Sequence, residues 1–249
     1  MDYREAESQL APLESFDAAA FLAGGDAPQD LCDFVLALAL VYNDYRDVLL
    51  AHVLLMGVEP QDTVAATPPR ALANGLRTTL FRVQAGVVHE LFNVINESAH
   101  VMEEPLFDRV IRTMSKEGRE AWRSLLDAAA GRGGNDPLAR ALLLVRNKVA
   151  FHYDARQLGA GYELAFGAHH PAREPMLCRG RSLLASRFCF ADAAAQSYLF
   201  QKTQAGSAQE LLDGASALSK QLHHALFEIA TRFIQARRFA WRRAPASRP

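Results

Sequence analysis

Three polar residues, Arg146, Asn147 and Lys148, interrupt an otherwise apolar run, and His152 follows four residues later. Burying a cation or an amide among apolar neighbours is costly, so such groups are usually paired, ligand-facing or at an interface. The residue types also suit a phosphate. An arginine fork holds phosphate oxygens, an amide orients them by hydrogen bonds, and histidine exchanges a proton near neutral pH. The segment therefore predicts a site for a phosphate-containing ligand.

A helix must position these residues. Asn135, Asp136 and Pro137 are typical of a helix start, and we expect that helix to carry the polar residues. At about 100° per residue, Arg146 and His152 lie about 120° apart, whereas Lys148 and His152 share a face. A cleft between two helices would let the arginine and the histidine act together.

The order Arg146-Asn147, then His152 late on a helix, resembles the Arg-polar-(x)4-His signature of the HEPN superfamily. The resemblance implies an all-α bundle with its core at about 71–154. It also implies a metal-independent endoribonuclease of the kind found in toxin–antitoxin and phage-defence systems. Two copies of the motif would meet across a homodimer and form one composite cleft.

The resemblance also assigns roles and partners. His152 would be the general acid or base, Arg146 would steady the scissile phosphate, and Asn147 would be the accompanying polar residue. We expect Lys148 and Tyr153 to bind the substrate. RNA would be the ligand, an antitoxin or regulatory protein a further partner, and no metal or other cofactor is expected.

Two alternatives remain open at this point. Arg146 would pair with an acid such as Glu97, Asn147 would bond a neighbouring helix end, and His152 would cap its own helix. The second alternative is a noncatalytic HEPN-like module that uses this face for dimerisation or partner binding. Apolar packing from Leu143 or Phe151 over the motif would favour that interpretation, whereas an open basic groove would favour catalysis.

A second polar cluster lies on the preceding predicted helix, where His89, Asn93, Asn96 and His100 recur at helical spacing. We expect Asn93, Asn96 and Glu97 to form a supporting wall for the cleft. Glu97-Ser98-Ala99-His100 also matches the Glu-x-x-His spacing of diiron bundles. That chemistry needs the pair twice, and the sequence has no second copy.

Composition limits the other functions. The chain has 249 residues, half of them hydrophobic, and a formal net charge of −1, so no overall field points to nucleic acid or membrane. Its three cysteines, Cys32, Cys178 and Cys189, are far apart and lack CxxC spacing, which argues against a disulfide framework or a zinc site. The charged start does not resemble a signal peptide, and no segment is long and apolar enough to span a membrane. We expect a cytoplasmic protein.

Helical periodicity runs through most of the chain and predicts one helical domain over 1–249. Helices are expected at 3–22, 30–56, 71–102, 106–114 and 116–130, with a proline-rich linker at 58–70. Glycines and prolines predict a small irregular or short β insertion around 155–190, with a strand at 182–190. Asp192 would cap the next helix, and a terminal helix at about 208–240 ends in a basic tail.

Overall fold

Two long helices lie close to the positions that the sequence predicts. Helix α1 spans Gln29–Met56 and helix α2 spans Pro68–Glu97. Proline suits the first turn of a helix because the N–H that it lacks has no helical partner there. Pro68 and Pro69, which the sequence assigns to the linker, therefore begin α2 instead.

The computed structural model describes residues 14–25, 27–56, 68–131, 155–167, 174–182, 186–203, 217–238 and 242–243. In chain order the remaining elements are β1 (Glu14–Ser15), a 3-10 turn (Ala18–Phe21), a second 3-10 turn (Ala99–Glu103), α3 (Pro105–Thr113), α4 (Lys116–Ala129), α5 (Ala155–Phe166), α6 (Cys189–Thr203), a π-helical turn (His223–Phe227), α7 (Glu228–Ala236) and β2 (Arg242–Arg243). Among these residues helices dominate and each paired strand has two residues. The predicted all-α class is confirmed.

The residues form two compact units, each built from separate stretches of the chain. One unit comprises Asp47–His89 and Asn135–Ala215 with Met1, and the other comprises Asp2–Arg46, Glu90–Gly134 and Ser216–Pro249. Three predictions involve residues outside the described ranges and stay predictions. They are the single domain over 1–249, the HEPN-like core at 71–154 and the terminal helix at 208–240.

The core of the second unit is aromatic and aliphatic. Phe107 of α3 packs against Phe34 of α1 at 5.6 Å between ring centroids and against Trp122 of α4 at 6.0 Å. The π-helical turn contributes Leu226, and α7 contributes Ile229 and Phe233; all three are fully buried. Apolar residues three or four positions apart lie on one face of a helix, and burial of that face is the main source of its stability.

Helix α4 has a well-formed start and stop. Ser115 caps its N-terminus, because the Ser115 hydroxyl oxygen accepts the N–H of Gly118 at 2.9 Å. The carboxylate of Glu228 accepts both the Ser115 hydroxyl at 2.5 Å and the Ser115 N–H at 2.7 Å. Gly131, at φ +69°, follows the helix in the left-handed region that favours glycine. The sequence predicts both ends of this helix correctly.

The described part of the N-terminal segment is not the helix, interrupted at Pro12, that the periodicity predicts over 3–22. Glu14 pairs with Arg243 and Ser15 with Arg242 in a short antiparallel ladder, and a 3-10 turn capped by Asp17 follows. The guanidinium of Arg237 donates to the carbonyl oxygens of Ala20, Leu22 and Gly24 at 2.7, 2.8 and 3.0 Å. These distant partners hold the segment in a nonhelical conformation, which local periodicity cannot reveal.

The first unit contains the insertion predicted around 155–190, and its first twelve residues are helical rather than irregular. Gly161 is buried where α5 meets α6, because a Cβ there would overlap the carbonyl oxygen of Ala194 and crowd Tyr198. The glycine therefore permits close helix packing instead of breaking the helix. The predicted strand at 182–190 is reduced, among the described residues, to one bridge between Cys178 and Arg187. Helix α6 then begins at Cys189, three residues before the expected cap at Asp192.

Within the described ranges, no helix combines the length and apolar character that crossing a membrane requires.

Candidate functional site

The predicted catalytic residues Arg146, Asn147 and His152 lie outside the described residues, and so do the predicted substrate-binding residues Lys148 and Tyr153. The alternative pairing of Arg146 with Glu97 lies outside them for the same reason. Of the predicted site, the described residues include only the supporting wall on α2, which consists of Asn93, Asn96 and Glu97.

The wall lies on the last turns of α2. Asn93 is half-buried, and its amide donates to the carboxylate of Glu90 on the same helix at 3.3 Å. Asn96 and Glu97 are exposed. Amides and carboxylates at this spacing follow one side of the helix, so they can present hydrogen-bonding groups in a row. Their role as a wall for the cleft stays a prediction.

Asn96 also has a structural function. Its amide donates to the carbonyl oxygen of Ala129 at 3.1 Å. Ala129 is the last residue of α4, where carbonyl groups lack a partner within the helix. Asn96 therefore ties the end of α2 to the C-terminus of α4, and its side-chain oxygen can still accept a further hydrogen bond.

The Glu-x-x-His spacing does not form a metal-binding pair on one helix. Helix α2 ends at Glu97, and His100 lies in the following 3-10 turn. His100 Nε2 is instead 3.9 Å from a carboxylate oxygen of Asp30, with both side chains well exposed. Among the residues that the structure describes, no group of three or more histidine, cysteine, aspartate or glutamate side chains could hold a metal ion. The diiron alternative requires Glu97 and His100 on one α-helix, and the two residues do not lie on one α-helix.

A cluster that the sequence does not reveal surrounds the π-helical turn. Tyr42 Oη and His223 Nδ1 share a hydrogen bond of 2.9 Å, and the His223 ring stacks on Phe227 at 5.1 Å between centroids. Burial raises the pKa of the Tyr42 hydroxyl, and the charge of Arg46 partly opposes this. The phenol therefore keeps its proton at neutral pH. His223 and His224 are both exposed, and π-helical turns are frequent at functional sites.

Two buried polar side chains in the first unit were not predicted from the sequence. Gln84 is 1% exposed and His52 is 6% exposed. Within the described ranges, Gln84 Nε2 and His52 Nε2 have no hydrogen-bond partner. Burial lowers the pKa of His52, and the charge of Arg77 lowers it further, so the imidazole is neutral at pH 7. The only sequence signal for His52 is a polar residue within the apolar end of α1.

Comparison with known proteins provides no relative. No protein-family model, no curated protein and no solved structure matches this chain at a significant level. The functional assignment therefore depends on the residues of this chain itself.

Proposed function

We propose that this protein is a metal-independent endoribonuclease of the HEPN type. The observation that carries the proposal is the sequence pattern of Arg146 and Asn147 followed at fixed spacing by His152. The pattern supplies a phosphate-binding fork and a proton-transfer group, which are the two functions that RNA transesterification needs. An all-α chain is compatible with the helical bundles in which this motif occurs.

The reaction uses a nucleophile that RNA itself provides. The 2′-hydroxyl of a ribose attacks the adjacent phosphorus, and the bond from phosphorus to the 5′-oxygen of the next nucleotide breaks. His152 transfers the protons, while Arg146 stabilises the negative charge that develops on the phosphate. Lys148 and Tyr153 bind the RNA in this proposal. The products are a 2′,3′-cyclic phosphate and a 5′-hydroxyl.

The active unit is a homodimer in this proposal. Because Arg146 and His152 lie about 120° apart on an ideal helix, a single helix does not direct both side chains to one point. A second copy of the motif supplies the missing partner from the opposite side. Asn93, Asn96 and Glu97 would line this composite cleft. Sedimentation of the purified chain should therefore give twice the mass of one chain.

Such a nuclease would act in the cytoplasm as a toxin or a phage-defence effector, held in check by an antitoxin or regulatory protein. This extension follows the HEPN resemblance alone. It predicts that expression of the wild-type chain without its regulator slows growth and degrades cellular RNA, whereas a His152→Ala chain does neither.

The direct test is RNA cleavage by the purified protein in excess chelator. Wild type should cleave a mixed RNA pool, and Arg146→Ala and His152→Ala should each lower the rate by at least about 100-fold, the usual effect of losing an acid–base group. His224→Ala is a matched control, because it removes an exposed histidine outside the motif. Equal activity in wild type and His152→Ala would refute the proposal. Motif variants that cleave nothing and also fail to dimerise would favour the noncatalytic module.

A further inference from the structure

A hairpin in the first unit brings two cysteines together. Cys178 and Arg187 form an antiparallel bridge, in which Cys178 N donates to Arg187 O at 2.7 Å and Arg187 N donates to Cys178 O at 2.9 Å. Cys189, the first residue of α6, follows two residues after Arg187, so the bridge brings the two cysteines near each other. The Cys189 thiol donates to the carbonyl oxygen of Arg187 at 3.8 Å, and it is close enough to Cys178 to interact with it electrostatically. Both cysteines are free and half-buried.

The hairpin is held in place by packing on the rest of its unit. The guanidinium of Arg187 lies against α2 at Gly75, where a Cβ would overlap it, and also forms an ion pair with Asp192 at 2.8 Å. The ring of Phe190, next to Cys189, packs at 6.3 Å from Tyr162 of α5. Both cysteines therefore lie on a scaffold that side-chain packing and an ion pair hold in place.

The environment of Cys189 favours its protonated form. Burial raises the pKa of the Cys189 thiol, and so do its hydrogen bond to Cys178, the charge of Cys178 and the charge of Asp192. Cys189 therefore keeps its proton at neutral pH, which suits it to be the resolving thiol rather than the attacking thiol of the pair.

We propose that Cys178 and Cys189 form a redox-active thiol pair that reacts with low-molecular-weight disulfides and closes a disulfide across the hairpin. The Cys178 thiolate attacks one sulfur of the small disulfide, forms a mixed disulfide and releases one small thiolate. Cys189 then loses its proton to water or to that thiolate, and its sulfur attacks the Cys178 sulfur and expels the second small thiol. The protein loses two protons and two electrons, and the small disulfide takes up two of each to become two thiols.

The third cysteine provides an internal control. Cys32 is fully buried in the second unit, and Arg237 Nη1 donates to its sulfur at 3.5 Å. Its thiol is inaccessible to a small disulfide in the folded protein, and burial raises its pKa. We expect Cys32 to remain reduced under conditions that oxidise the hairpin. This proposal is independent of the proposed ribonuclease activity.

The test is oxidation of the folded wild-type protein with oxidised glutathione, followed by alkylation in denaturant and mass spectrometry. Of the three cysteines, one should remain alkylatable after oxidation, and all three should be alkylated after reduction. Trypsin should release peptides 174–179 and 188–202 joined by a disulfide, because Arg173, Arg179, Arg187 and Lys202 bound them. Cys189→Ser should instead hold glutathione at Cys178.

Several results would overturn the proposal. Three alkylatable thiols after prolonged oxidation would show that the pair does not react. Stable glutathione on wild-type Cys178 would show that Cys189 cannot resolve the mixed disulfide. A disulfide that joins two chains, or one that includes Cys32, would show that the hairpin does not direct the reaction.

Discussion

Removal of the Ser115 hydroxyl tests the interactions at the start of α4. One oxygen atom there accepts the Gly118 N–H at 2.9 Å and donates to Glu228 of α7 at 2.5 Å. Ser115→Ala removes both hydrogen bonds but leaves the Ser115 N–H on Glu228 at 2.7 Å. The substitution therefore separates what the side chain contributes from what the backbone contributes.

The expected loss of stability follows from these two bonds. An N-cap serine contributes about 1 kcal/mol, and a hydrogen bond to a charged group about 1.5–3 kcal/mol. Because Ser115 and Glu228 are half-buried, water partly replaces the second bond, and we expect a total loss of about 2 kcal/mol. For a chain of this length about 1 kcal/mol shifts the melting temperature by about 2–4 °C. The melting temperature should therefore fall by about 4–8 °C.

Urea unfolding and thermal melting of four proteins provide the assay: wild type, Ser115→Ala, Glu228→Gln and the double variant. Ser115 and Glu228 take part in the same hydrogen bonds. The sum of the losses in unfolding free energy of the two single variants should therefore exceed the loss in the double variant by at least about 0.5 kcal/mol. Ser124→Ala, on the same helix but away from its cap, is the control and should change stability by less than about 0.5 kcal/mol. A Ser115→Ala loss no larger than that of the control, or strictly additive losses, would refute the reasoning.

Three further predictions concern other parts of the structure. Arg237→Ala should lower the free energy of unfolding in urea by about 2–3 kcal/mol, because three backbone carbonyls lose a charged donor. Arg237→Lys should recover less than half of this loss, since an ammonium group cannot reach all three carbonyls. Full recovery with lysine would contradict this. Gly131→Ala should cost about 1 kcal/mol through its positive φ, and Gly131→Asn should cost less; equal costs would argue against the left-handed cap. Burial lowers the pKa of His52 in the folded chain. In the unfolded chain His52 binds a proton near the usual histidine pKa of about 6.5, whereas in the folded chain it stays neutral at that pH. The stability of the protein therefore falls as the pH drops through about 6.5. Between about pH 7.5 and pH 5.5 the melting temperature of His52→Gln should fall less than that of the wild type. An equal fall in both proteins would exclude His52 as the cause of the pH dependence.

Elements with local signals were predictable from the sequence. Ser115 supplies a side-chain cap, and Gly131 supplies the left-handed residue that ends α4, so both ends of that helix are encoded within a few residues. The long apolar stripe of α1 similarly predicts Gln29–Met56 to within one residue of its start. These features depend on neighbours in the sequence, which periodicity and capping rules describe.

Features that depend on distant partners were not predictable. Glu14 is in a strand because Arg243, at the other end of the chain, pairs with it. Gly161 looks like a helix breaker, yet it serves a helix contact that only the position of Ala194 explains. A local pattern contains no information about which distant residue fills the neighbouring space.

The same distinction applies to the sites. The hydrogen bond between Tyr42 and His223 joins residues 181 positions apart, and nothing near either residue indicates the other. The spacing of the cysteines argued against a disulfide framework, and the structure indeed leaves all of them free. It also places Cys178 beside Cys189 through the backbone bridge to Arg187, which a search for CxxC motifs cannot detect.

The most direct test of the central claim is the end chemistry of RNA cleaved by the purified protein in chelator. A defined single-stranded RNA should yield 2′,3′-cyclic phosphate and 5′-hydroxyl ends, because the ribose 2′-hydroxyl is the attacking group in the proposed mechanism. The same strand with its 2′-hydroxyls methylated should stay intact, and His152→Ala should cleave neither strand. Intact RNA with the wild-type protein, products with 3′-hydroxyl and 5′-phosphate ends, or undiminished cleavage by His152→Ala would contradict the account.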